Sequence, residues 1–142
     1  AGNTGRPYNA WFRFANVRIP AGAKILEAYL QTAQTKWSWG THLKIRADKS
    51  ALTWAPISTT DHASRARTIA GVDWDIGYSD FRTHRSPNIS SVIQELIDRY
   101  NYSNGRAIQI LVDDDGSVLG SEHVGMSFES GYAPVLYIKY QI

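Results

Sequence analysis

One stretch of the chain, residues 86–112, carries a helix signal followed at once by a buried-strand signal. Its apolar residues recur at helical spacing and form one stripe along about three turns: Ile89, Val92, Ile93, Leu96, Ile97 and Tyr100. Pro87 and Asn88 precede this stripe as first-turn and cap residues, and Ser91 and Gln94 have the spacing of a capping box. The sequence therefore predicts one α-helix at about residues 89–100, packed on a core.

The residues after this helix are apolar at almost every position, because Ile108, Ile110 and Val112 alternate with Ala107, Gln109 and Leu111. Such a run is typical of a strand that is buried on both faces. A helix that leads directly into a central strand, in a chain otherwise rich in strand signals, indicates a sheet protein with a single helix closing one end.

The other regular segments alternate between apolar and polar residues with a period of two. They are residues 9–14, 24–33, 41–48, 68–74, 124–128 and 135–142. Helix is the alternative for residues 24–33, which include good helix formers, although the alternation favours a strand. About seven strands separated by long loops predict a mainly β fold, an antiparallel two-sheet β-sandwich of jelly-roll type.

Composition limits the class of protein. A chain of 142 residues with 43% hydrophobic residues is expected to form a single domain, residues 1–142, in which residues 1–8 are a flexible segment. Cysteine is absent, which excludes disulfides and thiolate zinc sites. The net charge of +2 comes from interspersed acids and bases, so we expect no nucleic-acid partner. No apolar run is long enough for membrane insertion.

Two segments, FRFANVRIPAGAKILEAYL and SFESGYAPVLYIKY, resemble the DNRLRE-type carbohydrate-binding-like jelly-roll module. Modules of this type occur in bacterial surface proteins, secreted polysaccharide-degrading enzymes and phage virion proteins, and the resembling motifs are structural. The family usually has a strand before the first of these segments, which residues 1–6 do not supply. The resemblance implies that a preceding strand is missing, and that a neighbouring chain or an upstream segment could complete the sheet edge.

Aromatic residues in predicted loops are the candidates for a ligand site. A flat ring can stack on the apolar face of a sugar, and the candidates are Trp37 and Trp39 as a pair, with Trp54 and Tyr78 behind them. The alternative is that these rings cover the open ends of the sandwich.

Charged groups offer fewer candidates. Asp113, Asp114 and Asp115 could supply carboxylates to calcium, or form a solvated turn. No other cofactor is expected. The four histidines are dispersed and expected at the surface: His42, His62, His84 and His123. Arg65 and Arg67 form a small basic cluster in a predicted loop. This cluster is either solvated or binds an acidic polysaccharide or a neighbouring subunit.

The sequence has no serine-hydrolase elbow, phosphate loop or dinucleotide fingerprint, so we expect no enzyme activity. Two functions remain open. One is a non-catalytic carbohydrate-binding-like adhesion module of an extracellular, cell-surface or virion protein, whose partner is a polysaccharide or other glycan. The other is a structural assembly protein, such as a phage decoration, tail or surface-filament subunit, whose partners are neighbouring subunits and which could form a homo-oligomer.

Overall fold

Antiparallel strands dominate the fold. A computed structural model describes residues 1–3, 7–34, 38–50, 54–79, 83–123 and 131–142. Within these residues the strands are β1 (Gly2–Asn3), β2 (Pro7–Tyr8), β3 (Ala10–Phe14), β4 (Lys24–Ala33), β5 (Ser38–Ala47), β6 (Val72–Ser79), β7 (Thr83–Arg85), β8 (Ile108–Asp114), β9 (Ser121–Glu122) and β10 (Val135–Gln141). The helices are α1 (Thr59–Ser64) and α2 (Ser90–Asp98).

The strands form three sheets. A four-stranded sheet has the order β3-β8-β5-β6, a three-stranded sheet has the order β10-β4-β7, and a small sheet joins β2, β1 and β9. All of the pairs are antiparallel. The two larger sheets and α2 contribute to one hydrophobic core, as expected for a β-sandwich. The predicted mainly β class is thus confirmed.

Alternation along the strands explains which face is buried. In β4 Ala28, Leu30 and Thr32 are buried, whereas the residues between them are only partly covered. In β8 the five residues from Ile108 to Val112 are all buried, as predicted for a central strand.

The predicted helix is present as α2, and its apolar stripe lies in the core through Val92, Ile93, Leu96 and Ile97. Its expected capping box is wrong, because the N-cap residue is Ile89 and makes no side-chain cap hydrogen bond. Gln94 instead binds the backbone at the start of β4: its Oε1 accepts from the Ile25 N–H at 2.7 Å, and its Nε2 donates to the carbonyl of Ala23, which precedes the strand, at 3.1 Å.

Other local predictions need correction. The long connection after β5 contains a second helix, α1, whose N-cap Ser58 accepts from the Asp61 N–H. Residues 2–3 and 7–8 lie in strands rather than in a loop, because β9 offers β1 a backbone partner. The strand predicted at residues 68–74 spans Val72–Ser79 instead. The strand predicted at residues 124–128 lies outside the described residues.

Candidate functional site: the exposed indole of Trp39 and its surroundings

The four aromatic candidates do not form one cluster. Trp37 lies outside the described residues. Trp39 and Tyr78 were expected in loops, but the structure places them in β5 and β6, directly opposite each other in the strand register. The register therefore brings the backbones of these two positions together. Trp39 is 68% exposed although its backbone belongs to a sheet.

The chain segment after β8 lies against the start of β5. The Val118 N–H donates to the Gly40 carbonyl at 3.0 Å, and the Ser121 hydroxyl donates to the same oxygen at 3.2 Å. A Cβ at Gly40 would approach the Val118 side chain to 2.8 Å, and Gly40 has a φ of 68°, so glycine is required there. The tight packing holds Trp39 at a defined place.

Val118 and Leu119 are exposed at 58% and 72%. Val118 lies against Gly40, the residue next to Trp39, and Leu119 follows it directly in the chain. We call Trp39, Val118 and Leu119 the end surface. Sequence reasoning missed the two aliphatic residues, because the Asp-rich start of their segment indicates a polar hairpin. The one sign of an apolar surface there was the Val-Leu pair itself.

A buried polar cluster lies next to the end surface. His123, expected at the surface, is only 6% exposed. Its Nε2 lies 3.1 Å from Thr32 Oγ1 and is hydrogen-bonded to the Gln34 side-chain amide, while its ring packs edge-on against Trp74. Burial lowers the pKa of His123 to about 3, so this ring is neutral at neutral pH. The cluster fixes the chain at the end of β9, where the Glu122 N–H donates to Ser38 Oγ at 2.8 Å.

Trp54 lies at the other end of the sandwich. Its carbonyl accepts from Arg65 Nη1 at 2.8 Å and from Gln109 Nε2 at 3.3 Å, and both of these side chains also bind Asp48, which follows β5 directly. Asp48 lies nine residues beyond Trp39 along the extended chain, a distance of about 30 Å. Trp54 is 70% exposed, but it cannot share a binding groove with Trp39.

The Trp54 segment is also held in place. Its neighbour Ile57, which is 91% exposed, donates its backbone N–H to the Asp61 carboxylate at 3.0 Å. Asp61 in turn accepts two hydrogen bonds from Arg65, which lower the pKa of this carboxyl to about 2. Trp54 and Ile57 therefore project from an ordered backbone, and we call them the apolar knob.

Both arginines of the predicted basic cluster form ion pairs with carboxylates of the same chain. Arg65 pairs with Asp48 and Asp61, and Arg67 forms a two-pronged pair with Asp113 at 2.7 and 3.0 Å. Asp113 also pairs with Arg46 at 3.2 Å. These pairs attach the connection between β5 and β6 to the outer face of the four-stranded sheet.

The three aspartates considered for calcium have different surroundings. Asp113 is bound by two arginines, Asp114 Oδ1 accepts from the Ser117 N–H at 3.3 Å, and Asp115 is exposed. Among the described residues, no group of three or more histidine, cysteine, aspartate or glutamate side chains is arranged to hold a metal ion.

The outer face of the sheet β10-β4-β7 carries a third aromatic feature. Tyr29 and Tyr137, paired across β4 and β10, stack with ring centroids 4.6 Å apart and planes 15° apart. The Arg85 guanidinium covers the other face of Tyr29 at 3.9 Å from its centroid. The sequence shows both tyrosines in alternating strands but gives no sign that they meet, because the pairing of β4 with β10 joins distant parts of the chain.

Comparison with known proteins does not assign this chain to a family. No protein-family model matches the chain, and no curated protein matches it significantly. In the described part of the chain, neither helix has the length and apolar character needed to cross a membrane.

Proposed function

We propose that this chain is a non-catalytic carbohydrate-binding module of an extracellular, cell-surface or virion protein, similar to the DNRLRE-type modules, and that it binds glycan at the end surface. The observation that carries the proposal is the exposure of Trp39, 68%, in a strand whose backbone is paired with β6. Because the backbone of Trp39 is already ordered in a sheet, no backbone entropy is lost when a sugar stacks on its indole.

The surroundings of Trp39 support the same function. Val118 and Leu119 provide apolar surface for the C–H face of a sugar. Glu122, whose backbone N–H donates to Ser38 next to Trp39, is partly exposed, and its carboxylate can accept hydrogen bonds from sugar hydroxyls. A few polar groups around an aromatic centre are the usual composition of a small-ligand site.

The test is a screen of the chain against a panel of glycans, followed by affinity measurements on the glycans that bind. Trp39→Ala should weaken binding at least tenfold, because the stacking surface is lost; tenfold corresponds to about 1.4 kcal/mol. Trp54→Ala is the matched control, since Trp54 has similar exposure at the opposite end. It should bind glycan like the unaltered chain.

Two results would refute this proposal. One is that no glycan on the panel binds. The other is that Trp54→Ala reduces affinity as much as Trp39→Ala while both variants keep the melting temperature of the unaltered chain.

A structural role in a larger assembly is the second candidate, and the apolar knob favours it. Ile57 and Trp54 are among the most exposed large hydrophobic residues, although hydrogen bonds hold their backbone. Rigid aromatic and aliphatic anchors of this kind are common at protein interfaces. A chain that binds no glycan, and that needs Trp54 and Ile57 to join its assembly, would establish this alternative.

A further inference from the structure

The connection between α2 and β8 ends in a tight turn that contains the one Asn-Gly pair of the sequence, Asn104 and Gly105. The Arg106 N–H donates to the Ser103 carbonyl at 3.2 Å, and Gly105 has a φ of 89°. A positive φ at the third residue of a β-turn, after a residue with a negative φ, is type II geometry and favours glycine. The turn therefore places a residue without a Cβ directly after an exposed asparagine.

Hydrogen bonds attach this turn to the connection between β3 and β4. The Gly105 N–H donates to the Val17 carbonyl at 3.0 Å, and the Val17 N–H donates to the Arg106 carbonyl at 3.2 Å. Tyr102, just before the turn, donates its hydroxyl to the Ile19 carbonyl at 2.8 Å. The backbone nitrogen of Gly105 is therefore held by an acceptor as long as the turn stays closed.

Asn104 differs from the other asparagines in the residue that follows it. Asn101 lies in the same connection and is also exposed, but Tyr102 follows it. The side-chain oxygen of Asn88 accepts two backbone hydrogen bonds, and the β-branched Ile89 follows that residue. A Cβ on the next residue obstructs the approach of its backbone nitrogen to the asparagine side chain, and after Asn104 this obstruction is absent.

We propose that Asn104 is a site of spontaneous covalent modification, at which its side chain closes onto the Gly105 nitrogen to form a succinimide. The Gly105 nitrogen attacks Asn104 Cγ, the new N–Cγ bond replaces the Cγ–Nδ2 bond, and Nδ2 leaves as ammonia with the proton that the Gly105 nitrogen gives up. Water then opens the ring. Opening at Cγ gives aspartate, and opening at the main-chain carbonyl gives isoaspartate. This modification goes beyond glycan binding and does not depend on it.

The fold sets the rate of this reaction. While the turn is closed, the Gly105 nitrogen keeps its proton and its hydrogen bond to Val17, so the reaction proceeds from molecules in which the turn has opened. Loop opening is far faster than this chemistry, and the rate therefore follows the population of the open turn. The Tyr102 hydroxyl holds the adjoining backbone on Ile19 and so lowers that population.

The experiment stores the folded chain in mildly alkaline buffer, which promotes loss of the Gly105 proton. Tandem mass spectrometry distinguishes Asn104 from Asn101, and an isoaspartate methyltransferase labels isoaspartate. We expect conversion of the Asn104 amide to an acid, partly as isoaspartate, while Asn101 stays intact. In urea the same conversion should be at least about tenfold faster, because no closed turn protects the nitrogen. Asn104→Gln should release no ammonia at this position, since its longer side chain closes a six-membered ring far more slowly.

Two matched variants test the control by the turn. Tyr102→Phe removes the hydrogen bond to Ile19 but keeps the ring, and it should speed conversion of Asn104 about two- to tenfold. Tyr29→Phe removes the same atom from β4, where the structure shows no hydrogen bond of that hydroxyl to any described residue, and it should convert at the unaltered rate. A melting temperature well above the storage temperature would show that each variant is folded.

An Asn104 that stays an amide in the folded chain while the urea sample converts would overturn the proposal. So would conversion of Asn101 as fast as that of Asn104, or equal rates in the folded chain and in urea. Equal rates for Tyr102→Phe and Tyr29→Phe would also contradict it. These readouts use no glycan, so a failure of glycan binding and a failure of this modification are observed separately.

Discussion

His123 is a residue whose burial has a measurable consequence. Its ring is held by Thr32 and Gln34 next to Trp74, and burial lowers its pKa to about 3, against about 6.5 in an unfolded chain. Below pH 6.5 His123 binds a proton in the unfolded state but stays neutral in the folded state. The free energy of unfolding should therefore be fully retained above that pH and fall as the pH drops from 6.5 towards 3.

The measurement is urea unfolding between pH 7.5 and pH 5, on the unaltered chain and on His123→Gln. As the pH falls from 6.5 to 5, the contribution of His123 should fall with a slope that starts at about 0.7 and approaches about 1.4 kcal/mol for each pH unit. Gln can replace the hydrogen-bond acceptor without titrating, so the variant should lose most of this slope. If His123→Gln keeps the full slope, His123 is not the group responsible.

At the scale of elements, α2 does more than fill the core. Gln94 binds one backbone donor and one backbone acceptor, in the way a neighbouring strand would. Removing both hydrogen bonds with Gln94→Ala should lower the free energy of unfolding by about 1–3 kcal/mol. The amide hydrogen of Ile25 should also exchange faster with solvent.

Ser91→Ala is the control for Gln94→Ala. Ser91 is exposed on the same helix, and in a capping box it would share the role of Gln94. Because the structure shows no such box, Ser91→Ala should change the free energy of unfolding by less than about 0.5 kcal/mol. A large loss in Ser91→Ala, with little in Gln94→Ala, would favour the capping box.

The sequence was sufficient for elements that have strong periodicity. The stripe of α2 and the apolar run of β8 were predicted close to their observed positions, because a core requires each pattern. The pattern does not show that Trp39 and Tyr78 belong to strands, since Gly40 and Gly77 next to them indicate loops. Their pairing follows from the register of β5 with β6, which local sequence does not contain.

On the scale of the whole molecule, β5 connects two different surfaces. The end surface lies at its start, and the apolar knob is attached beyond its end through Asp48 and Arg65. Sequence reasoning named Trp39 and Trp54 as members of one site because it could not measure their separation. It also counted Arg65 and Arg67 as loop charge, whereas their ion pairs attach the β5–β6 connection to the sheet.

The central claim is that glycan binds at the end surface, and the most direct measurement is NMR of the indole N–H groups during titration with a glycan from the panel. The chain has five tryptophans, so each signal can be assigned by single substitution. Our account predicts a saturable shift of the Trp39 signal and no shift of the Trp54 signal. A shift of Trp54 alone, or no shift of any indole at saturating glycan, would contradict it.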